Sequence, residues 1–164
     1  MKVIFLDIDG VLNSEQFWED RTQSFRYTAA LNEGKTKDQV RVIANIDPQA
    51  VALLNQLVKQ TDAEIVLSST WRSDWNIQYL LRYAGVEKYM YGITPFSKDR
   101  HRGTEIKEWL DDHPEVTNYV ILDDDNDMLE EQMDNLVQTH WLTGLTIDNV
   151  KQAINILNDV GNQS

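Results

Sequence analysis

Short runs of apolar residues that do not alternate with polar ones recur along the chain. They lie at 3–6, 64–68 and 118–122. Such runs are typical of strands buried on both faces of a parallel sheet. Short strands are also expected at 89–93 and 136–139. Between them, apolar residues recur at helical spacing, which predicts helices over 48–60, over 74–84, from 103 onward and over 147–157. Asp47 before Pro48, and Thr146, predict two of the helix starts. The alternation of strands and helices predicts an α/β protein, and no repeat or linker divides residues 1–164, so we expect one domain.

A long polar segment, residues 14–46, follows the first strand. Connections in compact domains have a median of about 4–6 residues, and longer ones usually carry structure or a function of their own. We therefore expect a flap or small cap insertion near the end of the first strand. Its aromatic residues are Phe17, Trp18, Phe25 and Tyr27. They could stack on a base or sugar of a substrate, but aromatic residues more often pack against a core, and we favour that role.

The first strand ends on two carboxylates. Asp7 and Asp9 follow the apolar run, and Gly10 comes directly after them, where the chain needs freedom to turn. Ligands of open α/β sheets bind at the carboxyl ends of the strands. The two acids are therefore candidates for a site, although on their own they could equally cap a turn.

The second strand ends in hydroxyl groups. Ser68, Ser69 and Thr70 leave it together, and Arg72 follows. A hydroxyl and a guanidinium can offer a hydrogen bond and a charge-assisted fork to a phosphate oxygen. The alternative is a turn rich in Ser and Thr, with Arg72 in solvent.

Acids also follow the apolar run at 118–122. They are Asp123, Asp124, Asp125 and Asp127. Carboxylates this close raise one another's pKa, so the cluster needs a cation, and Mg²⁺ fits it. Arg102 stands directly before a predicted helix start, where free backbone N–H groups and the helix dipole favour an anion.

Composition narrows the range of partners. The chain has 164 residues, enough for a substantial core, and it has no cysteine, which excludes thiolate chemistry and favours a reducing, cytoplasmic location. No apolar stretch is long enough to span a membrane, so we expect no membrane partner. The net charge of −12 opposes general binding to nucleic acid, so a polyanionic substrate needs a local basic patch. The loop with Lys98, Arg100 and Arg102 is one candidate, and a solvated charge run is its alternative role.

The candidate residues follow one another in a characteristic order: Asp7 with Asp9, Ser68, Arg102, then Asp123 with Asp124. This order resembles the haloacid dehalogenase-like (HAD) phosphohydrolase superfamily, whose motifs are Asp-x-Asp-Gly, a Ser or Thr after a strand, a Lys or Arg at a helix start and a final acidic pair. The resemblance covers residues 2–157, with Arg102 in place of the more usual lysine. It implies a three-layer, Rossmann-like α/β fold with helices on both faces of a parallel sheet. Within the superfamily, the sequences at 66–72 and 102–110 are similar to phosphatase domains of RNA-repair and polynucleotide kinase-phosphatase proteins.

The resemblance also implies a role for each matching residue. Asp7 would attack phosphorus and carry an aspartyl phosphate, while Asp9 would protonate the leaving oxygen and then activate water. Ser68 and Arg102 would bind the phosphoryl oxygens. Mg²⁺ would be held by Asp7, the Asp9 carbonyl and Asp124, with help from Asp123.

Some assignments stay open on the sequence alone. Ser69 and Arg72 are candidates for further contacts with the substrate. The alternatives are Asp127 in place of Asp123, Ser69 in place of Ser68, and Lys98 or Lys107 in place of Arg102.

The activity implied by the resemblance is Mg²⁺-dependent hydrolysis of a phosphate monoester, on a nucleic acid 3′-phosphate or a nucleotide. The alternatives are a phosphatase of a small sugar or other metabolite phosphate, a receiver-type phosphoacceptor, and a phosphate-binding domain without catalysis. A receiver-type module fits poorly, because it places its acceptor Asp on the third strand rather than the first. We expect the tail, residues 159–164, to fray.

Overall fold

The computed structural model describes residues 1–159, except for the side chains of residues 21–23. From residue 160 on, the tail expected to fray lies outside the described residues.

The described chain builds a five-stranded, all-parallel sheet. Its strands are β1 (Lys2–Leu6), β2 (Glu64–Leu67), β3 (Met90–Ile93), β4 (Asn118–Asp123) and β5 (Leu136–Gln138). Their order across the sheet is β3-β2-β1-β4-β5, so β1 lies at the centre, between β2 and β4. The predicted parallel sheet is confirmed, and each strand begins and ends within about one residue of its expected bounds, which is the usual uncertainty of strand and helix ends.

Seven α-helices lie within the described residues, besides 3₁₀ turns over Thr70–Ser73 and Glu130–Asn135. They are α1 (Glu15–Glu19), α2 (Arg21–Asn32), α3 (Lys37–Asn45), α4 (Pro48–Thr61), α5 (Ile77–Tyr83), α6 (Arg102–Asp111) and α7 (Ile147–Asn158). None of the helices in this part of the chain is long and apolar enough to cross a membrane.

Side chains at the helix starts act as the sequence predicts. The Asp47 side chain accepts a hydrogen bond from the Gln49 N–H, and the Thr146 side chain accepts one from the Asn149 N–H. Helix α5 starts later than predicted. The chain first forms a 3₁₀ turn over Thr70–Ser73, capped by Ser69, before it enters the helix.

Helices cover both faces of the sheet. Ile4 and Leu6 of β1 belong to one core cluster, and Val3 and Phe5 belong to the other, because successive side chains of a strand point to opposite faces. The first cluster includes buried residues of α4, α5 and α7, and the second includes α6 through Ile106. The three-layer, Rossmann-like architecture is therefore confirmed.

The insertion after β1 consists of helices α1 to α3. Helix α3 contacts α2 and α5, and Val42 and Ile46 join the first core cluster. The favoured packing role of the aromatic residues is wrong for Trp18, Phe25 and Tyr27, which are 47%, 77% and 43% exposed. Aliphatic residues next to the core, rather than these rings, hold the insertion in place. A role for these helices as a cap over the site stays a prediction.

Candidate active site

The candidate residues that follow β1 and β2 meet at the carboxyl edge of the sheet. The Asp7 N–H donates to the Leu122 carbonyl oxygen at 2.9 Å, and the Ser68 N–H donates to the Leu6 carbonyl oxygen at 3.0 Å. These hydrogen bonds extend the sheet beyond the strand ends and place Asp7 between Ser68 and the end of β4. The order of strands in the sheet, rather than proximity in sequence, brings the residues together.

Arg102, the first residue of α6, reaches two of these acids. Its Nη2 lies 3.5 Å from Oδ1 of Asp7, and its Nε lies 3.5 Å from Oδ2 of Asp123. Its Nη1 is buried and has no hydrogen-bond partner within the described part of the chain. Lys107, one turn further along the helix, is half-exposed and pairs with Asp111 at 3.0 Å. The geometry therefore favours Arg102 as the cation of the site.

Three carboxylates, those of Asp7, Asp123 and Asp124, could hold a metal ion. Each offers an oxygen, and these oxygens lie within 4.8 Å of one another. Burial raises the pKa of Asp7 and of Asp124, and burial together with the Asp7 charge raises the pKa of Asp123 from 3.8 to about 7. Oδ2 of Asp123 is buried and, although it lies 3.5 Å from Nε of Arg102, accepts no hydrogen bond from the described residues. All three ligands offer oxygen atoms, and the close negative charges favour a bound cation. Both features fit Mg²⁺.

Gly10 makes room for one of these acids. Its φ of +70° is a conformation that L side chains rarely adopt, and a Cβ built on it would lie 2.3 Å from Cγ of Asp124. Any larger residue would displace the Asp124 carboxylate, so the turn after Asp9 needs glycine for its conformation and for this contact.

Asp127 contacts the N-terminus of α6 rather than the other carboxylates. It accepts hydrogen bonds from the Arg102 N–H at 3.2 Å and lies 2.8 Å from Nε2 of His101, while its carbonyl oxygen accepts from the Gly103 N–H. These contacts fasten the start of α6. The geometry therefore favours Asp123 over Asp127 as the second acid of the final motif.

The two serines after β2 differ in what they contact. Ser68 Oγ is fully buried and has no hydrogen-bond partner among the described residues. The Ser69 side chain accepts a hydrogen bond from the Trp71 N–H at 3.4 Å, and its hydroxyl group lowers the pKa of Asp7. The geometry therefore favours Ser68 over Ser69 as the serine that meets a ligand.

Arg72 does not lie in solvent, since its side chain is 2% exposed. Its Nη2 pairs with Oε2 of Glu105 at 2.6 Å and donates to the Pro95 carbonyl, and its Nη1 donates to the carbonyls of Ser68 and Ser69. Protein acceptors therefore already use these two nitrogens, whereas the buried Nε has no hydrogen-bond partner among the described residues. Contact of Arg72 with a substrate phosphate stays a prediction.

A cavity of about 110 Å³ opens beside Arg102 and Asp123. It is lined by Thr70, Arg72, Phe96, Arg100, Arg102, Glu105, Asp123, Asp125 and Asp127. The cavity gives a ligand access to the charged edge of the site.

A family comparison agrees with this arrangement. Residues 3–150 match the family model described as the HAD domain in Swiss Army Knife RNA repair proteins. The chain belongs to this family. Comparison with the curated proteins found no significant match, and comparison with the solved structures found none. Membership of this HAD family supports phosphohydrolase activity. The order of the motifs in the sequence is the feature that indicated the superfamily.

This HAD domain also uses residues that the sequence did not reveal as part of the site. Asn13 donates from Nδ2 to Oδ1 of Asp9 at 2.9 Å, and Trp71 donates from Nε1 to Oδ2 of Asp9 at 3.0 Å. Glu105 balances the buried charge of Arg72. The available signal for Asn13 was only its nearness in sequence to Asp9. Trp71 and Glu105 lie within the two stretches, 66–72 and 102–110, that are similar to RNA-repair phosphatase domains, but that similarity did not indicate what either residue contacts.

Proposed function

We propose that this HAD domain hydrolyses phosphate monoesters through an aspartyl phosphate on Asp7, with Mg²⁺ as cofactor. The observation that carries the proposal concerns two groups at the carboxyl edge of the sheet: Arg102, whose Nη2 lies 3.5 Å from Oδ1 of Asp7, and Ser68, which follows the strand next to that of Asp7. Arg102 Nη1 and Ser68 Oγ are buried and have no hydrogen-bond partner in the described part of the chain. Unpaired buried donors are rare in proteins and need a partner. The oxygens of a phosphoryl group would satisfy both donors.

Asp7, Asp123 and Asp124 would hold the Mg²⁺, together with the main-chain carbonyl of Asp9. Bound there, the ion would offset the negative charge of the carboxylates and of the phosphoryl group. Without such compensation, an anionic nucleophile and an anionic phosphate would repel each other.

In the first half of the reaction, an oxygen of Asp7 forms a bond to phosphorus while the bond to the leaving oxygen breaks. Asp9 gives its proton to that oxygen as it leaves. In the second half, a water molecule attacks phosphorus, gives its proton to Asp9, and the bond to Asp7 breaks. Ser68 and Arg102 hold the phosphoryl oxygens in both halves, where positioning and charge stabilisation supply most of the rate.

We favour a nucleic acid 3′-phosphate or a nucleotide as the substrate. The family takes its description from RNA repair proteins, and exposed aromatic rings of the insertion, such as Trp18 and Phe25, are available for stacking on bases. Lys98 and Arg100, on the loop before α6, are the local positive charge that a polyanion would need in a chain of net charge −12. A small metabolite phosphate is the competing substrate.

Phosphate release tests the proposal. Wild type and Asp7→Asn would be compared, with Mg²⁺, on 3′- and 5′-phosphorylated oligonucleotides, mononucleotides and sugar phosphates. We expect turnover by wild type and a loss of at least about 1,000-fold in Asp7→Asn, because the nucleophile is gone. Asp148→Asn, an exposed substitution on α7, is the matched control and should keep full activity.

Equal rates for Asp7→Asn and wild type would overturn the proposed nucleophile. Stoichiometric phosphorylation without turnover would indicate a phosphoacceptor instead. Turnover of sugar phosphates alone would leave the mechanism in place and reject the nucleic acid substrate.

A further inference from the structure

Both carboxylate oxygens of Asp9 are held by side-chain donors from different parts of the chain. Oδ1 accepts from Asn13 Nδ2 at 2.9 Å, and Oδ2 accepts from the Trp71 indole Nε1 at 3.0 Å. Asp9 itself is exposed, so without these contacts its side chain would be free to rotate. Two donors fix the plane of the carboxyl group.

The Asn13 donor is itself fixed. Asn13 is 1% exposed, and its Oδ1 accepts the Gly10 N–H at 2.8 Å. An amide whose oxygen is occupied by a backbone donor must direct its NH₂ group the other way. That direction is toward Asp9.

The Trp71 donor is held from two sides. Its backbone belongs to the 3₁₀ turn capped by Ser69, and its ring packs partly against the first core cluster. On the insertion side, the Arg41 guanidinium lies 4.9 Å from the ring centroid and pairs with Asp74 at 2.8 Å. A cation over an indole face is attracted by the negative face of the ring. Helix α3 of the insertion thus contributes a residue that steadies the donor.

We propose that Trp71 is a positioning residue, which orients the Asp9 carboxyl group for proton transfer to the leaving oxygen, and that Arg41 of the insertion supports it. The proposal rests on the proposed function, because it needs Asp9 to be the general acid. Trp71 contacts Asp9 rather than the reacting atoms. Its loss should therefore affect only the steps in which Asp9 moves a proton.

The leaving group separates this role from general structural support. An alkyl leaving oxygen, such as that of ribose, is a strong base and needs a proton as the bond breaks, whereas p-nitrophenolate leaves without one. The ratio kcat/KM reports steps up to the first irreversible one, which here is formation of the aspartyl phosphate. Water activation by Asp9 comes later and does not enter that ratio.

The test is Trp71→Phe, which keeps an aromatic ring and removes the indole N–H. We expect kcat/KM to fall roughly 10-fold for a nucleoside monophosphate and less than about 2-fold for p-nitrophenyl phosphate, since a positioned general acid contributes about 10²- to 10⁴-fold. Trp75→Phe, at a residue 89% exposed on the same loop, is the control and should change neither value. Adding Trp71→Phe to Asp9→Asn should cause no further loss, because the two residues would act as one unit.

A second variant avoids any change to the turn. Arg41→Gln removes the cation from the face of Trp71 at a partly exposed position, so we expect a folded protein. Its kcat/KM should fall roughly 3-fold for the nucleoside monophosphate, because a single cation–ring contact is weak, and should not change for p-nitrophenyl phosphate. Equal losses on both substrates, or full additivity with Asp9→Asn, would overturn the positioning role and leave the proposed phosphatase intact. Absence of Asp7-dependent turnover in wild type would overturn both.

Discussion

Burial and the neighbouring Asp7 carboxylate together determine how Asp123 is protonated. Its pKa in the protein without metal is about 7, against 3.8 ordinarily, so the folded state binds a proton that the unfolded state has already lost. The folded protein is therefore stabilised by protonation of Asp123 at low pH and loses that stability as the pH rises from about 4 to about 7. Over this pH range the free energy of unfolding falls by at most about 4 kcal/mol.

The same protonation predicts proton release when Mg²⁺ binds. At about pH 6.5 most of the Asp123 carboxyl groups are protonated, and a cation held by carboxylates displaces that proton. Titration calorimetry in two buffers of different ionisation enthalpy should show release that declines toward zero above about pH 8. Asp123→Asn should bind Mg²⁺ more weakly and release no proton from this position. Equal release by wild type and Asp123→Asn would contradict the assignment.

At the level of single residues, the sequence predicts what lies at strand ends and misses what tertiary contacts decide. Asp7, Ser68 and Asp124 were predictable because parallel strands bring their carboxyl ends to one edge. The burial of Arg72 could not be predicted, because its partner, Glu105, lies on another element. No local pattern indicates that an arginine following a strand will be buried against a helix.

At the level of elements, Arg72 and Glu105 join three segments that carry the site. Arg72 donates to the carbonyls of Ser68 and Ser69 after β2 and of Pro95 after β3, and Glu105 belongs to α6, the helix that begins with Arg102. Glu105 Oε1 also accepts from the Ser97 N–H at 3.2 Å. The ion pair thus sets the position of α6 relative to the loops after two strands.

Glu105→Ala should therefore be strongly destabilising. It leaves the Arg72 guanidinium buried without a counter-charge, and removing one partner of such a pair typically costs about 3–5 kcal/mol in the free energy of unfolding. Urea unfolding monitored by circular dichroism would measure the change in the free energy of unfolding. Glu108→Ala, at an exposed position of the same helix, should stay within about 0.5 kcal/mol of wild type. A loss below about 1 kcal/mol in Glu105→Ala would show that the pair is not a structural connection.

The elements themselves were more predictable than their contacts. Continuous apolar runs predicted three of the five strands, β1, β2 and β4, and Asp47 and Thr146 marked helix starts, because these are local effects of burial and capping. The insertion at 14–46 was recognised only as a long segment. Helix α2 has little amphipathic character, so hydrophobic periodicity could not predict it, and the exposed position of Phe25 runs against the usual use of aromatic residues.

At the scale of the whole molecule, the sheet places like charges where they oppose folding. The chain carries a net charge of −12, and Asp7, Asp123 and Asp124 lie within a few ångströms of one another at the end of the central strands. Self-repulsion of this kind destabilises the compact state. A cation bound at that edge acts on β1 and β4 together, so its effect should appear in the cooperative unfolding of the domain.

Magnesium should therefore raise the melting temperature of the whole domain. A ligand at 100 times its Kd stabilises the folded state by about 2.7 kcal/mol, and 1 kcal/mol shifts the melting temperature by about 2–4 °C for a domain of roughly this size. Saturating Mg²⁺ should thus raise it by roughly 5–10 °C relative to EDTA. Asp124→Asn should lose most of that increase while melting at or above the temperature of metal-free wild type, because it also removes one of the repelling charges. A full Mg²⁺ response in Asp124→Asn would place the ion elsewhere in the protein.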